Sequence, residues 1–247
     1  MIIGMRGHDF GRMEPRALAL AIREAGFEAT QLAFAKAFPV PAEQYMTPGA
    51  LSEIRSAFAG IVLPVMGCYV SASDRDPDVL AEAKARFKRS LSASVILGAG
   101  CVGTETTHFT FPESEREAAY ARLLDFTREV CAHAEQVHAL VGIEPVALHT
   151  LNTPELARRL IADVSSPNLR VILDTANLVT PETAAPEAFD ARKDTSTSER
   201  DAPSERTSTD STPSQEISSM RTHDTAANAN TATIHTFFMQ IGRASCR

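Results

Sequence analysis

The sequence predicts an α/β fold: a (β/α)8 barrel, incomplete, with about six βα units, followed by a tail. Three observations predict it. Strand and helix patterns alternate through the first 180 or so residues. Val141-Gly142-Ile143-Glu144-Pro145 reads as a buried strand ending at an acid, and Val171-Ile172-Leu173-Asp174-Thr175 repeats it one βαβ unit later. No Gly-rich phosphate loop follows the first strand, while His8, Glu105, Glu144 and Asp174 all stand at strand ends. Polar residues spread around a rim favour a barrel over a doubly wound sheet, which gathers its site at one switch point.

In order, Met1 to Met5 is a short apolar strand with His8 after it. Glu14 to Gly26 is a helix with Pro15 near its start, Leu18, Ile22 and Ala25 on one face, and Gly26 as the stop. Thr30 to Phe34 is a second strand. After Pro39 and Pro41 a helix carries Leu51, Ile54 and Phe58. Ile61 to Tyr69 is a third strand, almost continuously apolar, as a strand covered on both faces should be. Asp78 to about Leu97 is helical, with Leu80, Ala83, Phe87 and Leu91 in phase. Cys101 to Glu105 is the fourth strand. Glu113 to Val137 is a long helix that turns Tyr120, Leu123, Leu124, Thr127, Val130 and Ala134 inward. Ala139 to Glu144 and Leu169 to Asp174 are strands five and six. Between them Thr153 is an N-cap, Pro154 occupies the first helical position, and Leu156, Leu160, Ile161 and Val164 share a face.

The chain has 247 residues, 44% of them hydrophobic, so a sizeable core can form. Its net charge of −7 argues against a phosphate-backbone binder, so no nucleic-acid partner is expected. No apolar run is long enough to span a membrane, and the N-terminus lacks a signal-peptide pattern. Cys68, Cys101, Cys131 and Cys246 are scattered without a CxxC pair, which fits reduced thiols and a cytoplasmic location. Cys68 and Cys101 read as packing residues.

Five segments then carry a resemblance: GMRGHDFG after strand one, GCYVSASDRDP after strand three, GTET at strand four, GIEPVALHTLNTPE at strand five and VILDTANLVTPE at strand six. In this order and spacing the chain resembles the xylose isomerase-like TIM-barrel family of sugar and sugar-phosphate isomerases and epimerases, which also has an AP-endonuclease DNA-repair branch. The resemblance covers about residues 1–190. It implies one divalent metal (Mn²⁺, Mg²⁺, Co²⁺ or Zn²⁺) held by Glu, Asp, His and Glu from strands five to eight. By matching motif, Glu144 and Asp174 are the first two ligands. Epimerases of the family often carry a His three residues after the strand-six Asp, where this chain has Asn177. The implied partner is a small sugar or sugar phosphate, and a homo-oligomer is compatible with a full-length parent.

The residue types suit that chemistry. Isomerising an aldose, or inverting a carbon beside a carbonyl, moves a proton off carbon and leaves negative charge on oxygen. A divalent metal stabilises that charge, and a carboxylate or His handles the proton. Glu144, His8 and Glu105 are the catalytic candidates, with His149 and Asn177 as substrate contacts. Each also has a plainer role: an ion pair for Glu144, a cap for Glu105, a loop tie for His8, backbone bonding for His149, a turn for Asn177. Two carboxylates alone should make a weak, solvent-open metal site.

Composition changes after about Asp190. From Ala191 onward Ser and Thr abound and periodicity is lost, so residues 191–247 are expected to be disordered or a sequencing or frame-shift artefact. The closing QIGRASCR resembles a translated sequencing adapter. Strands seven and eight have no recognisable counterpart, and His223 and His235 lack strand context. An alternative reading is therefore a truncated, non-catalytic, aggregation-prone fragment with two open sheet edges. A further alternative, an AP-endonuclease-like enzyme, should show a basic groove and more His ligands than this acidic chain has.

Overall fold

A computed structural model of the chain describes residues 2–174 and Asn177. Strand and helix alternate: β1 Gly4–Arg6, α1 Pro15–Glu24, β2 Ala29–Gln31, α2 Phe34–Ala37, α3 Pro48–Ala57, β3 Val65–Gly67, α4 Pro77–Leu97, β4 Cys101–Glu105, α5 Arg116–Val137, β5 Val141–Glu144, α6 Pro154–Val164 and β6 Leu169–Val171. Short 3₁₀ turns cover Gly7–Phe10, Ala42–Tyr45 and Glu113–Glu115. The expectations for the tail, 191–247, lie outside the described residues.

Helices start where a cap meets a proline. Thr47, Asp76 and Thr153 accept backbone N–H bonds at the starts of α3, α4 and α6, and each is followed by Pro at the first helical position. α4 stops at Gly98, which takes the left-handed conformation at φ 71°. Gly26 does the same after α1 at φ 78°. Ala25 lies on the exposed side, because the helix has already ended at Glu24.

Every strand pairing is parallel. β3, β4, β5 and β6 form one sheet in that order; β1 and β2 form a separate pair. Single parallel bridges, Ala29 to Val62 and Leu32 to Met66, join β2 to β3. The sequential order of a partial barrel is thus present, but the regular ladder breaks between β2 and β3. Two expected strands are shorter than their apolar runs for this reason. Strand two was expected to reach Phe34, yet Phe34 opens α2, where it packs against Phe38 at 4.8 Å between ring centroids and Tyr45 at 6.1 Å. Strand three was expected from Ile61, yet Pro64 has no N–H for a ladder, and Val62 is 46% exposed.

The inner face of the sheet sets the site. A Cβ at Gly142 would lie 2.8 Å from Ile172 Cδ1. One at Gly103 would lie 2.6 Å from the same atom and 2.8 Å from Val65 Cγ1. Val65, Gly103, Gly142 and Ile172 therefore share the inner face, and the Ile172 side chain fills space the glycines leave. Ile172 N–H donates to the Ile143 carbonyl at 3.0 Å, which carries the β6 pairing one residue further. We expect Gly142→Ala to cost about 1–3 kcal/mol by overpacking. Ile172→Val, which removes Cδ1, should recover much of that loss in the double variant. Urea denaturation of the four proteins checks it; purely additive effects would mean the two residues do not touch.

Outside the sheet, α4 and α5 pack through Phe87 and Phe126, with Leu91, Leu123 and Val130 also buried. Leu124 is only half-buried, contrary to the expected inward stripe. Lys84 reaches Asp125 and Glu129, and Lys88 reaches Glu129, across the exposed side of the same pair. Among the described residues no helix is long and apolar enough to cross a membrane.

Candidate functional site

Side chains alternate along a strand, so residues two steps beyond the inner layer point inward at the C-terminal rim. From Gly67, Gly103, Gly142 and Ile172 this step gives Tyr69, Glu105, Glu144 and Asp174. β4 and β5 pair Glu105 directly with Glu144. Tyr69, Glu105 and Glu144 therefore face inward at the rim, and Asp174 faces inward two residues beyond Ile172, which is level with Glu144 in register.

Glu144 and Asp174 are buried, 7% and 8% exposed, so the expected solvent-open pair is instead an enclosed one. The cause is the loop after β5, which folds over the rim. There Ala147 N–H donates to the Asn177 carbonyl at 2.9 Å, and Asn177 Nδ2 donates to Glu144 Oε1 at 2.6 Å. Burial pushes the Glu144 carboxyl up to about 7; the neighbouring Glu105 and Asp174 charges add to this, and the Asn177 hydrogen bond opposes it. Two inward carboxylates, one of them costly to ionise where it is buried, fit a divalent cation, which takes hard oxygen donors. Among the described residues no third His, Cys, Asp or Glu joins them in a ligand cluster.

His149 stands beside Glu105, with Nε2 3.9 Å from Glu105 Oε2. An antiparallel bridge between His108 and His149 ties the loops after β4 and β5, and the two rings meet edge to face at 5.7 Å. Burial lowers the His149 pKa, with Glu105 opposing. His8 lies in the 3₁₀ turn after β1, where burial also lowers its pKa. Among the described residues the Nδ1 atoms of His8 and His149 are buried with no hydrogen-bond partner. Such atoms ask for an explanation in a folded protein.

Sequence reasoning missed Tyr69, Gln31 and Lys36. Gln31 Nε2 donates to the Tyr69 hydroxyl at 2.8 Å, and Lys36 Nζ sits 3.6 Å from the Tyr69 ring centroid. Burial, then Glu144 and Glu105, push the Tyr69 phenol to about 12, so it keeps its proton near neutrality. The usable signal was the two-residue step from Gly67 within GCYVSASDRDP.

The fold and the placement of these acids define a partial (β/α) barrel with its polar residues gathered at the C-terminal strand ends. The chain belongs to the xylose isomerase-like TIM barrel family, whose model matches residues 19–201. Solved structures agree on the fold. A D-psicose 3-epimerase determined in the presence of D-fructose is 21% identical, with TM-score 0.59, over 72% of this chain and 65% of that one. The 3-keto-D-glucoside 4-epimerase YcjR from E. coli is 17% identical, with TM-score 0.63, over 78% of this chain and 76% of that one. A xylose isomerase-like TIM barrel protein from Mycobacterium smegmatis, in complex with magnesium, is 18% identical, with TM-score 0.58, over 76% of this chain and 69% of that one. The chain thus spans just under two thirds of the psicose epimerase. Among curated proteins no sequence matches it.

Proposed function

We propose that this rim is the active site of a divalent-metal-dependent isomerase or epimerase acting on a sugar or sugar phosphate. The observation that carries the reading is the enclosed pair Glu144 and Asp174 at the ends of neighbouring parallel strands. Two epimerases and a magnesium complex among proteins of similar fold support it. Glu144 and Asp174 would hold the divalent cation, which when bound would supply Lewis-acid stabilisation of negative charge on the substrate oxygens. Asn177 fixes the Glu144 carboxylate through its 2.6 Å hydrogen bond. Glu105 faces the same layer and is the residue placed to take a proton from the carbon beside a carbonyl and to return it. His149, whose pKa burial lowers, stands 3.9 Å from Glu105 and is the second residue able to carry that proton.

Calorimetric titration with Mn²⁺ tests the metal step without relying on turnover. With two carboxylates we expect weak binding, on the order of 10⁻⁴ M or poorer, and its loss in Glu144→Gln. Tight stoichiometric binding that survives that change would sink the assignment. Solvent deuterium incorporation into a ketose, metal-dependent and lost in Glu105→Gln, tests the proton transfer.

A further inference from the structure

Most half-buried cations of this chain are tied down. Arg6 binds Asp9, Lys84 and Lys88 bind acids of α5, and Arg116 binds Glu113. Arg122 donates to the Ser73 carbonyl, and Arg170 donates to the carbonyls of Pro167 and Leu169. Arg86 of α4 differs. It is half-buried, yet no hydrogen bond or ion pair holds its guanidinium among the described residues. Its nitrogens keep their access to water, so the guanidinium can take an acceptor that a ligand brings. Its position says where that acceptor would be. Arg86 lines two clefts that both touch Tyr69: one of about 380 Å³, open to the rim beside Glu105, and one of about 230 Å³ reaching Lys36. Lys36 is exposed and forms no ion pair among the described residues; its ammonium sits over the Tyr69 ring. Arg86 and Lys36 thus both face clefts that touch the Tyr69 phenol, with Glu144 near enough to Lys36 for their charges to interact.

We infer that Arg86 and Lys36 form a subsite for an oxyanion on the substrate, a phosphoryl or carboxylate group carried away from the reacting carbon. The inference rests on the proposed sugar chemistry at the same rim and narrows its substrate to an anionic sugar. Arg86 is the specificity-determining residue, because its planar fork takes two anion oxygens at once. Lys36 adds a point charge that a neutral sugar would not use.

The test begins with inorganic phosphate as probe, titrated into the 247-residue chain by calorimetry at constant ionic strength, with chloride as control. Phosphate should bind, and Arg86→Gln should weaken it at least about tenfold, the loss of a charge-assisted bond. Lys36→Ala should weaken it less, because a point charge is lost and not a two-pronged contact. Arg86→Lys guards against a misfolded Gln variant: it keeps the charge, loses the fork and should bind at an intermediate level. Turnover is then compared for a ketopentose phosphate, a hexuronate and a neutral ketohexose. KM for whichever anionic sugar reacts should rise in Arg86→Gln with kcat little changed. Phosphate binding indifferent to Arg86, or a neutral sugar preferred with KM unmoved in Arg86→Gln, would overturn the inference. Arg86-dependent phosphate binding without turnover of any sugar would uphold the anion subsite and count against the isomerase reading instead.

Discussion

Phe126→Ala is expected to destabilise the chain by about 3–5 kcal/mol, the range for emptying a large aromatic site in a packed core. Phe126 is fully buried, and its ring meets Phe87 edge to face at 5.6 Å between centroids and 74° between planes. Leu123 and Val130 lie one turn away on the same buried face of α5. These are long helices of 21 and 22 residues, so the hole has little room to collapse. Against a total stability of roughly 5–15 kcal/mol, a loss of that size moves much of the population toward unfolding. Urea denaturation should show it as a fall in midpoint with the slope kept. Lys84→Met on the exposed side of the same helix pair should cost only about 1 kcal/mol or less. A Phe126→Ala effect below about 1 kcal/mol would mean that α4 and α5 do not pack as described.

Local signals explain which parts of this fold can be read from sequence. Asp76-Pro77 and Thr153-Pro154 announce helix starts because cap and proline act within a few residues. Glu144 is legible for a similar reason: it ends an apolar run and is followed by a proline. The shortened β2 and β3 are not legible in that way. Phe34 leaves the strand to meet Phe38 and Tyr45, a choice made by tertiary packing that local propensity does not carry. Tyr69 escaped notice because a strand apolar on both faces hides which parity points inward; the close approach of Ile172 to Gly103 and Gly142 decides it. The closeness of Glu105 to His149 depends on two loops 40-odd residues apart folding together, as their bridge at His108 and His149 records. Arg86 reads as an ordinary helix-surface residue until its missing partner is seen.

Glu144→Gln should stabilise the metal-free chain at alkaline pH by about 3 kcal/mol while having almost no effect near pH 4. The folded carboxyl has its pKa raised to about 7, first by burial and then by Glu105 and Asp174, against an ordinary value of 4.5. Below pH 4.5 the group is protonated in both states, so it contributes no difference. Between 4.5 and 7 the unfolded chain releases the proton while the folded chain keeps it, so the folded state binds more protons and stability falls as pH rises. Above 7 both forms are ionised and the loss is complete. Glutamine keeps the shape and keeps an oxygen to accept from Asn177, but it never ionises, so this loss is absent from the variant. Chemical denaturation of both proteins in EDTA at pH 4, 6 and 8 should therefore give curves that coincide at the lowest pH and separate steadily above it. Equal stability at pH 8 would show that the Glu144 carboxylate is solvated and not enclosed. The same change should remove Mn²⁺ binding, so one substitution would improve the fold and abolish the site. That opposition is expected of a buried acid kept for its chemistry, because its destabilisation in the metal-free state is what a cation relieves.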